Sequence, residues 1–367
     1  MKSELLYQLA LTLIPNIGDV HAKILVQHFG SAGAVFRAGK GEIENIEGIG
    51  TVRARCIREF HDFDRAEKEI GFLERYGIRP LFLTDPDYPQ RLLNCYDSPT
   101  LLFYKGAADL NASWVVSIIG TRHHTDFGKA FTEKLVKELA EEKVLVVSGL
   151  AFGIDGAAHK AALKHDLPTV GVVGHGLDTI YPSEHAGLAR DMARHGGGLL
   201  TEFLSTTKPD KHHFPLRNRI VAGMSDATVV VETAIKGGSM ITAKLADSYN
   251  RDVFAVPGRP GDAKSAGCNH LIKYNKAILL TGADDLLEVM GWKERKKEAG
   301  PHQRELFIEM TPEERQVVEL LQEKGTAHID EINLRSGLSS SSVAAAMLNL
   351  ELQGLIATLP GKLYKLV

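Results

Sequence analysis

The sequence predicts an α/β protein: a doubly wound, mostly parallel sheet flanked by an N-terminal helical domain and a C-terminal winged helix. Three observations predict it. From Trp114 onward, short apolar runs alternate with amphipathic segments, the pattern of parallel strands joined by right-handed helical crossovers. Residues 1–75 instead carry two related helical pieces with glycine turns. From Thr311 the chain changes again, to three helical periods followed by LIATLPGKLYKLV, which reads as a wing.

Composition narrows the class. The 367 residues are 44% hydrophobic and 24% charged, which suits a globular chain of two or three domains. Lys and Arg total 43 against 46 Asp and Glu, a net charge of −3, so any nucleic-acid contact has to come from local clustering. Cys56, Cys95 and Cys268 form no CxxC pair and suggest neither a zinc site nor a disulfide framework. They read as thiols of a reducing cytosol. The N-terminus MKSELLYQLALTLIPNIG lacks a small-residue cleavage site, and no stretch approaches roughly 18 uninterrupted apolar residues. A cytoplasmic protein without a membrane span is expected.

In chain order, residues 1–75 contain IPNIGDVHAKILVQHFGS and IEGIGTVRARCIREFHDF. The pair resembles tandem helix-hairpin-helix motifs, whose hairpin glycines let backbone N–H groups approach a phosphate. The other reading is a small bundle whose glycines only make tight turns. Four Lys and six Arg stand there against three Asp and eight Glu, a net of −1. Tyr76–Ala112 is rich in Pro and aromatic residues and reads as irregular strands and turns padding one side of the next domain.

The sheet domain is expected over residues 76–292. VVSIIG, VLVVS, TVGVV, LLTE, ATVVV, DVFAV and AILL are its strands, and Phe127–Glu142 and Ile154–Leu163 are among its helices. Ligands of such sheets gather outside the carboxyl ends of the strands. Gly120-Thr121-Arg122 follows the first of these strands and offers a close backbone approach, a hydroxyl and a planar guanidinium to a phosphate. Gly237-Gly238-Ser239 precedes a helical segment, where backbone N–H groups can meet an anion. Between them, Lys208, Lys211, Arg217 and Arg219 against Asp210 give a local net of +3 around Phe214. Cations with an aromatic ring suit a single-stranded nucleic acid, although Phe214 and Arg217 could equally form a helix-start staple and an ion pair. Asp155 reads as a cap or turn residue and His159 as a packed, hydrogen-bonded histidine. Gly174–Asp178 and Tyr181-Pro182 read as pocket wall.

Residues 293–310, beginning KERKKEAGPHQ, have the charge and Gly-Pro content of a linker. In residues 311–367, TPEERQVVELLQEKG has a capping-box start. The third helical segment, SSSSVAAAMLNLELQG, has no Lys or Arg, and the module holds five basic against seven acidic residues. Protein contact or regulation is expected of it before duplex reading.

FPLRNRIVAGMSDATVVVE, SGLAFGIDGAAH, GHGLDTIYP and VFAVPGRPGDAKSAGCNHLI, in this order across roughly Asp85–Leu280, resemble the DNA-processing protein A family (DprA, also called Smf). The resemblance implies an extended Rossmann-like fold and a single-strand DNA binder that hands the strand to the RecA recombinase in natural transformation. It also implies a homodimer formed through the Rossmann domain. It makes Gly120, Thr121 and Arg122 a phosphate contact and assigns DNA contact to Lys211, Phe214, Arg217 and Asn218. Phe152 stands where many relatives would carry Arg, which puts a basic contact of that turn in doubt.

An enzyme reading competes with the binder. Phosphoribohydrolases that release a base from nucleoside phosphates share a Rossmann scaffold, but their PGGxGTxxE loop carries a catalytic glutamate. Here ETAIKGGSMITA places Glu232 before the glycines, with no acid after them at that spacing. GxGxxG with an acid about twenty residues on, and GxxxxGK[ST], are both missing, so no nucleotide cofactor is expected. His212-His213 is the one tempting metal pair, but adjacent side chains of an extended segment point apart, and no metal is expected.

Overall fold

The computed structural model describes residues 3–292 and 310–367, in two compact units, 1–279 and 280–367. The expected linker lies almost wholly outside the described residues.

The first unit opens with α1 (Glu4–Leu13), α2 (Asp19–Phe29), α3 (Ala32–Arg37), α4 (Lys40–Glu44), α5 (Gly50–Glu59) and α6 (Asp64–Tyr76). The hairpins need left-handed backbone, which Asn16 (φ 65°), Gly48 (φ 84°) and Gly50 (φ 65°) supply. Asn16, Gly18, Gly48 and Gly50 are exposed, and residues beside the hairpins bond within the protein. Asp19, opening α2 after the first hairpin, accepts from the Thr100 N–H (2.8 Å) and hydroxyl (2.9 Å). Arg53 donates to the carbonyls of Asn16 (3.2 Å), Gly48 (3.3 Å) and Ile49 (3.3 Å), lacing one hairpin to the other. These bonds fix the hairpin carbonyls and leave the glycines open to solvent.

β1 (Arg79–Phe82), the short helix α7 (Gln90–Leu93) and β2 (Leu101–Gly106) follow. The two strands do not pad a face of the domain. They extend the main sheet at its edge, β1 antiparallel to β2 and β2 antiparallel to β6 (Gly198–Thr201). Tyr88 and Tyr104, both fully buried, hold this edge, and the Tyr88 hydroxyl donates to the Pro99 carbonyl at 2.6 Å.

The doubly wound part runs β3 (Val115–Ile119), α8 (Asp126–Leu139), β4 (Leu145–Ser148), α9 (Ile154–Lys164), β5 (Thr169–Val172), α10 (Ala186–Arg194), β6, α11 (His213–Gly223), β7 (Ala227–Val230), α12 (Ser239–Ser248), β8 (Asp252–Ala255), α13 (Ala266–Lys273) and β9 (Ile278–Leu279). The order across the nine strands is β1-β2-β6-β5-β4-β3-β7-β8-β9. From β6 to β9 all neighbours are parallel. Every residue of β3, β4, β5 and β7 is buried, as strands covered on both faces must be. β3 is the hinge of this order: the chain proceeds from it to β4 on one side, while β7 pairs with its other side.

Inside this layer His159 is fully buried and bonds the Thr169 hydroxyl at 2.7 Å. Burial first, then the nearby His185 and Arg217, push its pKa down to about 3. It is a packed, neutral histidine, as its place in α9 suggests.

The second unit contains α14 (Ala283–Val289), α15 (Pro312–Lys324), β10 (Thr326–His328), α16 (Ile329–Ser336), α17 (Ser340–Leu352), β11 (Ile356–Leu359) and β12 (Leu363–Leu366). Its sheet has the order β10-β12-β11, the wing hairpin plus a three-residue strand too short to show a period. The capping box at Thr311 and Glu314 forms in both directions, at 3.2 and 2.9 Å. α14, expected within the sheet domain, clusters with this unit.

Candidate nucleic-acid interface

A cavity of about 440 Å³ opens where the carboxyl ends of β3, β4 and β7 meet the start of α11. It lies at the point where the strand order reverses, the position at which open α/β sheets hold ligands. All ten residues singled out in the sequence line it: Gly120, Thr121 and Arg122 after β3; Lys211, Phe214, Arg217 and Asn218 on α11 and its approach; Gly237, Gly238 and Ser239 before α12.

The turn after β3 is fixed from three sides. The Thr121 N–H donates to the Glu232 carbonyl at 2.7 Å, and the Thr121 carbonyl accepts from the Ile154 N–H at 3.2 Å. Thr125 caps α8 by accepting from the Gly128 N–H at 3.1 Å. The buried Glu232 carboxylate accepts from the Thr125 N–H at 2.9 Å and from its hydroxyl as well. This carboxylate lies so close to Gly128 that a Cβ there would come within 2.5 Å of it. Gly120 is glycine for a related reason: a Cβ would stand 2.5 Å from Ile154. Close packing on Ile154, besides any approach of an anion, demands that residue.

α11 divides its residues by helical period. Phe214, Arg217, Asn218 and Val221, at i, i+3, i+4 and i+7, face the cavity. Arg219 is rotated away from that face. It pairs with Asp19 at 2.9 Å, binds Glu202 and donates to the Asp97 carbonyl, tying α11 to the N-terminal helices. Arg217 lies in the cavity floor at 5% exposure and donates to the Val172 carbonyl at 2.7 Å. Its guanidinium passes where a Cβ on Gly149 would be 1.8 Å from Nη1, so only glycine fits in that turn. Burial lowers the Arg217 pKa to about 10, which leaves it a cation at neutral pH. The local charge of +3 read from the sequence is therefore divided. Arg217 and Arg219 are built into the protein, while Lys211 is exposed to a ligand, as is Arg122.

Three cations thus line the cavity (Arg122, Lys211, Arg217) against one carboxyl, Asp155. Asp155 accepts from the Gly149 N–H at 3.1 Å, the turn role expected of it, and burial raises its pKa. On the β7 side a Cβ on Gly238 would meet nothing within 4 Å, so the backbone there is open to the cavity. Gly237 is closed, because a Cβ would sit 2.3 Å from the Thr233 hydroxyl. The Ser239 hydroxyl donates to Thr233 at 2.7 Å, so that side chain braces the turn and only its lone pairs remain for a ligand. On the rim, the Arg122 guanidinium carbon stands 5.4 Å from the Phe214 ring centroid, within cation–π range. The Phe152 ring lies 5.2 Å from that of His185, an apolar contact in the turn where a basic one was in doubt. His213 stacks on Phe203 at 4.4 Å while His212 is exposed, so the histidine pair is divided.

Sequence reading missed Gly149, Ala151, Thr233, Ile241 and Thr242, which also line the cavity. Thr242 was legible in principle, three residues beyond Ser239 on one helix face.

A family model of DNA recombination-mediator protein A matches residues 79–291, more than half of the chain. The chain belongs to the DNA recombination-mediator protein A family. A DprA winged helix domain matches residues 298–362 and a helix-hairpin-helix motif residues 6–70. Protein Smf of Synechocystis sp. is 33% identical over 99% of both chains. The X-ray structure of DNA processing protein A from Streptococcus pneumoniae superposes with a TM-score of 0.65 at 33% identity, covering 78% of this chain and 97% of that one. DNA processing protein A from Helicobacter pylori, whose structure is described for its single-stranded DNA binding mode, has a TM-score of 0.51 at 30% identity. It covers 57% of this chain and 94% of that one. The expected fold class, with its helix-hairpin-helix and winged-helix flanks, holds.

Glu232→Ala should destabilise the first unit by about 1–3 kcal/mol, because it takes the carboxylate partner from the N–H and hydroxyl of the partly buried Thr125. Glu232→Gln should recover part of the loss. Urea unfolding measures both, and an alanine variant within about 0.5 kcal/mol of wild type would contradict the bracing role.

Proposed function

We propose that the chain is a single-stranded-DNA-binding recombination mediator, acting in the cytoplasm, that protects incoming single strands and loads RecA during natural transformation. The observation that carries the reading is the switch-point cavity: three cations, one open glycine turn and one partly exposed ring on the same edge. Cations that follow a phosphodiester backbone beside a ring that stacks a base are the parts a single-strand groove combines. The H. pylori relative, described for binding single-stranded DNA, supports it.

The reading is non-catalytic. Glu232, the acid next to the glycines, is buried and its two oxygens are occupied by Thr125. Among the described residues no group of three or more His, Cys, Asp or Glu could hold a metal ion, and no helix is long and apolar enough to cross a membrane. The phosphoribohydrolase alternative has no observation in its favour. The proposed contacts remain the ten residues of the cavity, with Arg122 and Lys211 on phosphate and Phe214 on a base. The winged helix, whose α17 has no Lys or Arg, serves protein contact or regulation in this account.

Fluorescence anisotropy with labelled single strands at several salt concentrations tests the division of labour. Arg122→Ala or Lys211→Ala should weaken all single strands alike and reduce the salt slope by roughly 0.7 for each phosphate no longer neutralised. Phe214→Ala should cost about 1–3 kcal/mol with the slope nearly unchanged. Equal slopes for wild type and Arg122→Ala would remove the phosphate role.

The homodimer through the Rossmann domain and the delivery to RecA are tested together. Sedimentation should find a dimer, and the protein should accelerate RecA assembly on strands coated by single-strand-binding protein. A monomer at tens of micromolar with no effect on RecA would contradict both.

A further inference from the structure

Beside the cavity stands a second ring, Tyr181, which the sequence suggested only as pocket wall. Tyr181, in the turn after β5, keeps 46% of its surface exposed, although its ring centroid is 5.9 Å from that of Phe214, with planes inclined by 41°. Nearly half of this residue stays open to solvent beside the ring that lines the cavity.

Its backbone is held in place. The Tyr181 N–H donates to Nε2 of the buried His175 at 3.2 Å, and Nδ1 of that imidazole meets the Gly176 carbonyl at 2.9 Å. The two bonds assign the neutral tautomer with the proton on Nδ1. Burial, which lowers the His175 pKa, keeps it in that state at neutral pH. A fixed main chain under an exposed ring is what a stacking platform requires, because little conformational freedom remains to be lost on binding.

We propose that Tyr181 is a second base platform, stacking the nucleotide next to the one held against Phe214, so that the cavity and its rim take two consecutive nucleotides of a single strand. The ligand is a flexible polynucleotide with unpaired bases; a duplex, whose bases are stacked on one another, cannot present two faces to these rings. Arg122, 5.4 Å from the Phe214 ring, and Tyr181, 5.9 Å from it, both neighbour that ring, so a phosphate and two bases have their contacts within one short stretch of strand. The inference rests on the single-strand reading and deepens it.

Short labelled oligothymidylates, intact or with one abasic position moved along the strand, test it by anisotropy against wild type, Tyr181→Ala, Tyr181→Phe and Phe214→Ala. Tyr181→Ala should weaken intact strands about 5- to 150-fold, the range of one stacked base, with an unchanged salt slope. Tyr181→Phe should bind within about twofold of wild type, since the ring is kept. One abasic position should weaken wild type but not Tyr181→Ala, and it should adjoin the position that behaves so with Phe214→Ala. Unchanged affinity of Tyr181→Ala, or a loss independent of the abasic position, overturns the platform. A wild-type protein that binds no single strand overturns the underlying reading itself, so the two failures are distinct.

Discussion

The adjacency of β3 and β7 at the reversal of strand order is the constraint on which the rest depends. Because the chain leaves β3 toward β4 on one side and β7 returns on the other, the turns beyond their carboxyl ends part and leave a crevice. Something must then hold those turns in register. Glu232 does so with its backbone and side chain together: its carbonyl takes the Thr121 N–H, and its carboxylate takes the capping residue of α8. An acid that a motif search would examine as a catalyst is a brace between the two lips of the site. The arrangement leaves Arg122 outside the hydrogen-bond scheme that fixes its own backbone, so the guanidinium is exposed while the turn is rigid.

α11 shows how one short helix serves fold and site at once. Two residues apart on a helix means about 200° of rotation, so Arg217 and Arg219 cannot share a face. Arg217 enters the crevice floor, and Arg219 meets Asp19 and Glu202 beneath the N-terminal helices. Removing the Arg219 cation would leave the Glu202 carboxylate, 13% exposed, without this partner, a costly defect at such low exposure, while Asp19 would keep its bonds from Thr100. The basic character of KHHFPLRNR therefore overstates the charge available to a ligand; the helical period alone puts the two arginines on different faces, and only the fold says which face meets the cavity.

Much of the fold was legible because it is written in local patterns. The run VVSII at Val115–Ile119, apolar but for Ser117, and the glycine turn before Ser239 report their own environment, and the structure places β3 and the start of α12 there. The union of three separate motifs in one cavity followed from a rule about strand ends, and the cavity indeed gathers Gly120, Phe214 and Gly238. Other features depend on partners distant in the chain. Nothing in PLFLTDPDYPQRLLNCYDSPTLLFYKG says that its strands continue the sheet beside β6. Nothing near Gly149 announces that Arg217, 68 residues on, needs the space of its missing side chain. Tyr181 and Phe214 likewise meet only through the fold.

The central claim is that the crevice between β3 and β7, and neither the hairpins nor α17, is where a single strand lies. Backbone hydrogen exchange of the intact protein, with and without a saturating short oligothymidylate, addresses it directly because it reads every segment at once. The account requires slowed exchange in the turns at Thr121–Arg122 and Gly238–Ser239 and at the start of α11, with the hairpins around Gly18 and Gly48 and the helix α17 unchanged. Protection confined to the hairpins or to α17, with the crevice exchanging as in the free protein, would contradict it.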